Sequence, residues 1–274
     1  MPTAAPHNID DYESLLVALQ NVLGVVVSDT QRSGLVERVE PLMAHYNFDS
    51  LASLAERLQD VQAEDIKSSV LEAISQRHSD WLFNSATLNI LQDYVFAQLP
   101  VEAKIWLVGC GQGQLAYALA MEIAEYENKS GESKNFQILA SDSSQQDIKL
   151  AESASYYTRQ LKGLSDVYKK TYMAINSLDG SAVVQDKVRQ NTHFSQCDLT
   201  ENFQAIGEMD LIICPETLVY FSNGVKENII QQFISLLKSG GVFLTGNPHA
   251  MITPLTKGFE RVEHPAGIFY RQKN

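Results

Sequence analysis

Chemistry in this chain can be looked for first at GCGQG, residues 109–113, where the backbone rather than a reactive side chain would do the work. The run follows IWLVG (105–109), a continuous apolar stretch of the kind a buried parallel strand requires, and leads into a helical pattern over 113–127. Gly109, Gly111 and Gly113 would let N–H groups at a helix start come close to a ligand, or they could simply make a tight strand-to-helix turn. Asp142 ends the next strand-like run, FQILAS (136–141), about thirty residues further on. An acidic side chain there can accept both hydroxyls of an adenosine ribose, or it can cap the following helix. No companion nucleophile stands nearby: Cys110 has no His close in sequence and reads as a small packing residue.

These residues need a sheet to hold them, and the sequence from about residue 85 onward supplies one. A long helix, SATLNILQDYVFAQL, ends at Pro100 ahead of the first strand. After Asp142 comes the helix pattern QQDIKLAESAS, which completes a βαβα unit. VVQDKVRQNTHF reads as a strand-like crossing, MDLIIC (209–214) as another buried strand, and 224–238 as a helix. The Gly240-Gly241 turn and VFLTG (242–246) follow, and FERVEH with GIFYRQK forms an antiparallel hairpin on the sheet edge. A glycine loop plus an acidic second-strand end suits a nicotinamide enzyme as well as a methyltransferase. The third glycine of a dinucleotide fingerprint is Ala116 here, and the antiparallel ending favours the methyltransferase sheet.

Upstream, from Ile9 to about Gln76, nearly every stretch has helical periodicity; Gly24 to Val27 is the one strand-like run. Leu15, Leu16, Leu19, Val22 and Leu23 mark a first helix, and Ser28 or Asp29 caps a second carrying Leu35, Val36, Val39, Leu42 and Met43. FDSLASLAERLQ starts with an Asp/Ser cap, EDIKSSVLEAISQ supplies a fourth amphipathic helix, and the four make a compact bundle. The expected organisation is a helical domain over 1–84 and an α/β domain over 85–274.

Composition narrows the function classes. A net charge of −12 argues against a footprint for nucleic acid. Cys110, Cys197 and Cys214 stand far apart and the six histidines form no pair at metal spacing, so neither a disulfide framework nor a metal site is expected. MPTAAPHNIDDYE has no basic or apolar leader pattern and no apolar run approaches the length of a membrane span, which predicts a cytoplasmic protein without membrane insertion.

An ordered set of motifs resembles the CheR-type methyltransferases, which methyl-esterify glutamates of chemoreceptors, including relatives attached to type IV pilus signalling. GCGQGQLAYALAM (109–121) is similar to the family's GCSTGEEPYSLAM, and ASDSS (140–144), followed by the L..A..A.Y pattern, to its ATDID. FSQCDL (194–199) is similar to F...NL, CPETLVYF (214–221) to CRNVLIYF, and LKSGGVFLTG to L.PGG.L.LG. The likeness runs over nearly the whole chain, including the helical part with Arg38.

The resemblance implies a Rossmann-like fold, mostly parallel with an antiparallel edge hairpin, behind a small all-helical domain. It implies S-adenosylmethionine as cofactor, with S-adenosylhomocysteine as product, and a methyl-accepting receptor-type protein helix as partner of a monomeric enzyme. It puts Gly109, Gly111 and Gly113 under the cofactor, Asp142 on the ribose, Asp198 and Leu199 near the adenine, and Tyr220 near the reacting methyl group. Tyr220 could equally be a strand-end aromatic closing the core. Departures fall on charged positions: Phe83 stands in place of an Arg, Gln114 and Leu115 in place of two Glu, and Pro215 and Glu216 in place of Arg-Asn. Two readings follow, a protein-glutamate O-methyltransferase and a catalytically silent relative kept as a regulatory module.

Overall fold

The computed structural model describes residues 9–25, 27, 35–74, 81–215, 217–246 and 257–273, with the side chains of Ser68, Glu72 and Tyr220 left aside. The chain forms two compact units, Met1–Gln76 with Leu218–Lys226, and Arg77–Thr217 with Glu227–Asn274.

In the first unit, helices Ile9–Leu23, Leu35–Tyr46, Leu51–Leu58 and Glu64–Ile74 bury the leucine stripes that the periodicity marks out. Leu15, Leu19, Val39, Leu51, Leu54, Leu58 and Val70 are fully buried. Ser50 caps the third of these helices, accepting from the Ser53 N–H at 3.1 Å while the Ser53 hydroxyl oxygen accepts from the Ser50 N–H at 3.2 Å. The caps read at Ser28 or Asp29 lie outside the described residues. The strand-like run at Gly24 to Val27 resolves into one antiparallel bridge, Val25 to Phe221, with the Ser222 N–H donating to the Gly24 carbonyl. These contacts attach 218–226 to the bundle. Arg38 donates to the Ile74 carbonyl at 3.0 Å, so its guanidinium serves the C-terminal end of the fourth helix. The first 76 residues hold 12 Asp/Glu against 4 Lys/Arg, a net of −8 out of the chain's −12.

The second unit is built on a seven-stranded sheet and a three-stranded one. In chain order the strands are β1 (Lys104–Val108), β2 (Gln137–Asp142), β3 (Ser155–Tyr157), β4 (Met173–Ile175), β5 (Ser181–Val184), β6 (Thr192–Gln196), β7 (Met209–Cys214), β8 (Leu237–Thr245), β9 (Phe259–His264) and β10 (Gly267–Gln272). The large sheet runs β6-β2-β1-β7-β8-β10-β9. Its first five strands are parallel, with Leu107 opposite Ala140 on one side and Ile213 on the other. β10 pairs antiparallel with both β8 and β9, so the closing hairpin supplies an inner strand and an edge.

Alternation along the buried strands divides the core. Ile105, Leu107, Leu211, Ile213, Val242 and Leu244 point into one apolar cluster with Tyr117, Leu119 and Phe269. On the other face Trp106 meets Phe203 and Phe233 at 5.4 Å each, and Phe233 meets Phe243. The Trp106 indole donates to the Ser141 hydroxyl at 2.9 Å, which satisfies its one polar atom.

Two sequence expectations change. The crossing VVQDKVRQNTHF is the end of β5, a short helix Asp186–Arg189 and then β6, because Gln185 leaves the strand and Asp186 opens a helical turn. The small sheet, ordered β3-β5-β4, was invisible to periodicity: strands of three or four residues show too little alternation, and their partners lie far away in sequence. The helix ahead of β1 is continuous but has a π-helical turn at Leu91–Val95 between Ser85–Ile90 and Phe96–Gln98. Leu99 then turns extended, as a residue before proline must. Among the described residues no helix is long and apolar enough to cross a membrane.

Asp210, 7% exposed, accepts from the Lys104 N–H at 2.9 Å and from the Lys238 ammonium at 2.9 and 2.8 Å, joining β1, β7 and β8 at the end of the sheet away from the glycine loop. Asp210→Ala is expected to lower stability by about 1.5–3 kcal/mol, read as a lower urea midpoint with an unchanged slope.

Candidate cofactor and active site

β1 is where the strand order turns, since β2 and β6 continue on one side of it and β7 and β8 on the other. In an open parallel sheet the crevice at the carboxyl ends of such neighbouring strands is where ligands bind. The glycine loop leaves β1 there.

Three glycines shape the loop by their backbone angles, with φ of +73° at Gly109, +50° at Gly111 and +90° at Gly113. A Cβ on Gly109 would lie 2.2 Å from the Thr217 hydroxyl oxygen, and one on Gly113 would lie 2.7 Å from Ala151 Cβ and 3.2 Å from the Phe194 ring. Hydrogen bonds hold the rest. The Gly109 and Cys110 N–H groups donate to the Ser141 carbonyl at 2.8 and 2.9 Å, and the Gly111 N–H donates to Asp142 Oδ2 at 2.8 Å. Asp142 Oδ1 accepts from the Ser144 N–H at 3.0 Å, while Ser144, and not Asp142, caps the helix Gln145–Ser153. Asp142 thus braces the loop before any ligand arrives, and a carboxylate has lone pairs enough to accept ribose hydroxyls as well.

Asp198 and Leu199 fall at the same end of the sheet. They follow β6; Asp198 Oδ1 accepts from the Thr200 N–H and hydroxyl at 2.8 Å each, and Leu199 is 6% exposed. Cys197, just before them, donates its N–H to the Asp142 carbonyl at 2.9 Å. Burial first, and then the Asp198 charge, push its thiol up to about 11. Burial likewise raises the Cys110 thiol well above its ordinary value, ahead of the charge of Asp142, which agrees with a packing role. Tyr220 ends the short turn Thr217–Tyr220, and its side chain lies outside the description, as does Glu216. Phe83 and Leu115 belong to the apolar core, 9% and 3% exposed. The Pro215 carbonyl accepts from the Gly246 N–H at 2.6 Å, linking the ends of β7 and β8.

Gln114 is the residue whose role the sequence concealed. It stands where the resemblance implies a Glu, which reads as a lost charge. In the structure it opens the helix Gln114–Ser130, is 0% exposed, and neither its Nε2 nor its Oε1 has a partner. A buried amide without partners costs on the order of 1–3 kcal/mol per polar group, and natural folds carry few such groups. The helix start adds partial positive charge suited to a carboxylate. Protein atoms cover both amide atoms, so the unmet donor and acceptor are an internal feature of the helix start behind the glycine loop.

A sheet in this order, with the last strand inserted antiparallel beside the fifth and a glycine loop at the turning point, defines an S-adenosylmethionine-dependent methyltransferase of the α/β type. Residues 77–268 match the family described as CheR methyltransferase, SAM binding domain, and the chain belongs to that family. The chemotaxis protein methyltransferase of Vibrio parahaemolyticus is 28% identical over 279 residues, which cover 99% of this chain and 100% of that protein. Chemotaxis protein methyltransferase 1 of Pseudomonas aeruginosa is 28% identical over 272 residues, covering 96% and 98%. A solved TehB-like SAM-dependent methyltransferase from Corynebacterium glutamicum is 14% identical with a TM-score of 0.41, covering 70% of this chain and 89% of that one. That score is too low to carry an argument, and the fold assignment stands on the strand order. The cofactor is S-adenosylmethionine. Among the described residues no group of three or more His, Cys, Asp or Glu could hold a metal ion.

Gly113 and Gly131 both adopt left-handed angles, but only Gly113 has neighbours within reach of a Cβ. Gly131→Ala is expected to cost only the backbone strain, about 1–2 kcal/mol. Gly113→Ala should lose a further ~1–3 kcal/mol through overlap with Ala151, visible as a larger drop in melting temperature. Equal losses would mean that the loop does not press on the helix Gln145–Ser153.

Proposed function

We propose that this protein transfers a methyl group from S-adenosylmethionine to glutamate carboxylates of a receptor-type helix in a chemosensory pathway, such as one attached to type IV pilus signalling, acting as a cytoplasmic monomer. The observation that carries the reading is the glycine loop at 109–113, braced by the Asp142 carboxylate at the carboxyl ends of β1 and β2. Full-length similarity to proteins named chemotaxis protein methyltransferases supports the acceptor class.

When bound, S-adenosylmethionine supplies an electrophilic methyl on a sulfonium. The chain has to place and shield it. Gly109, Gly111 and Gly113 give the nucleoside room, and Asp142 accepts from the ribose. Asp198 and Leu199 take the adenine, one through its carboxylate and the other through apolar contact. A glutamate acceptor is already ionised at neutral pH, so no general base is required of the chain. Its contribution is orientation and exclusion of water. Tyr220 is assigned to the reacting end of the site. The net charge of −8 on the first 76 residues favours acceptor segments whose glutamates are accompanied by Lys or Arg.

A second reading, a catalytically silent regulatory relative, is favoured by one set of observations: Phe83 and Leu115 are buried in the core where the family pattern carries charges. Calorimetric titration with S-adenosylmethionine and S-adenosylhomocysteine, joined to a methyl-ester assay on receptor helices, separates the two. Heat with ester formation is expected, and absence of both heat and thermal shift at millimolar ligand would remove the enzyme reading. Asp142→Ala should weaken cofactor binding by about 1–3 kcal/mol. Tyr220→Phe should reduce turnover more than binding, and unchanged turnover would return Tyr220 to a packing role.

A further inference from the structure

Tyr156 sits on the small sheet, yet its hydroxyl donates to the Gln112 carbonyl in the glycine loop at 2.7 Å. It is 4% exposed, and its ring meets Trp81 edge-on with centroids 5.1 Å apart. Trp81 is itself fixed, since its indole N–H donates to the Gln160 carbonyl at 2.8 Å. Burial raises the Tyr156 phenol far above its ordinary value, so the hydroxyl remains a donor throughout the physiological range.

Gln112 lies between Gly111 and Gly113, both at positive φ. The Gln112–Gly113 peptide turns about ψ of Gln112 and φ of Gly113, and Gly113, having no Cβ, offers little steric resistance on its side. Hydrogen bonds must hold its plane. The N–H half donates to the Cys110 carbonyl at 3.0 Å, a bond internal to the loop, and the Gln112 side chain donates to Asp147 at 3.3 Å. The carbonyl half is held from outside the loop, by Tyr156. A rotated peptide would exchange a donor for an acceptor in the loop that faces the nucleoside, and would break the Cys110 bond as well.

We propose that Tyr156 is a positioning residue for the cofactor: by holding the Gln112 carbonyl it fixes the 112–113 peptide plane, so the loop meets its ligand already formed and the small sheet helps to set cofactor affinity. The inference rests on 109–113 being the cofactor loop, and the test separates the two.

Tyr156→Phe removes the hydroxyl and keeps the ring on Trp81. In the free protein, amide exchange over 109–117 is expected to speed up about tenfold, while 35–74 is unchanged. The Kd for S-adenosylhomocysteine, titrated well below the unfolding temperature, should rise about tenfold. Trp81→Phe keeps the hydroxyl but loosens the ring packing and should move both readouts the same way by less, which preserves the test if Tyr156→Phe folds poorly. A folded Tyr156→Phe protein with unchanged loop exchange and unchanged Kd would overturn the proposal, even if it melts earlier. Should the wild-type chain bind no S-adenosylhomocysteine, the cofactor-loop reading fails, while loop exchange still decides whether Tyr156 holds the peptide.

Discussion

The Gly111 N–H donating to the Asp142 carboxylate joins the ends of β1 and β2. Without it the loop after β1 would be a flexible run of small residues; with it the loop has one shape. The bond joins a residue at +50° in φ, which glycine adopts without strain, to a carboxylate at the end of the next strand. Around it the Ser141 carbonyl takes two further loop N–H groups, so β2 serves as the template on which the loop is moulded. A loop held this way loses little freedom when a ligand arrives, and binding keeps more of its gross energy.

The price of this arrangement is concentrated in Gln114. A fold that satisfies Trp106, Asp210 and Tyr156 leaves one buried amide with both polar atoms bare. The contrast matters because the surrounding core is otherwise apolar and well packed, with Leu115, Ala116 and Leu119 buried on the same helix.

The helix Asp166–Tyr172, which leads into β4 of the small sheet, is tied to the rest of its unit by polar contacts as well as by packing. Tyr168 donates to Glu122 at 3.0 Å and Tyr172 to Glu125 at 2.6 Å, both acceptors lying on the helix that begins at Gln114. Burial comes first among the causes that raise both phenols, and the glutamates add to it, so both remain donors. With Tyr156 at the loop, three tyrosines of 156–172 connect this part of the chain to the middle of one helix and to the turn before it.

The sequence by itself determined the strands that alternate or run apolar for five or more residues, the four amphipathic helices, the glycine loop and Asp142, because each is written in local spacing. It marked Asp198 and Leu199 through a motif. The tertiary structure decided what spacing cannot encode: that β10 enters between β8 and β9, that three short strands pair across 155–184, that Arg38 is engaged by the Ile74 carbonyl, and that Gln114 is buried without a partner. Each of these depends on which distant groups share one small volume, and that is settled only when burial removes water as the alternative partner for every polar atom.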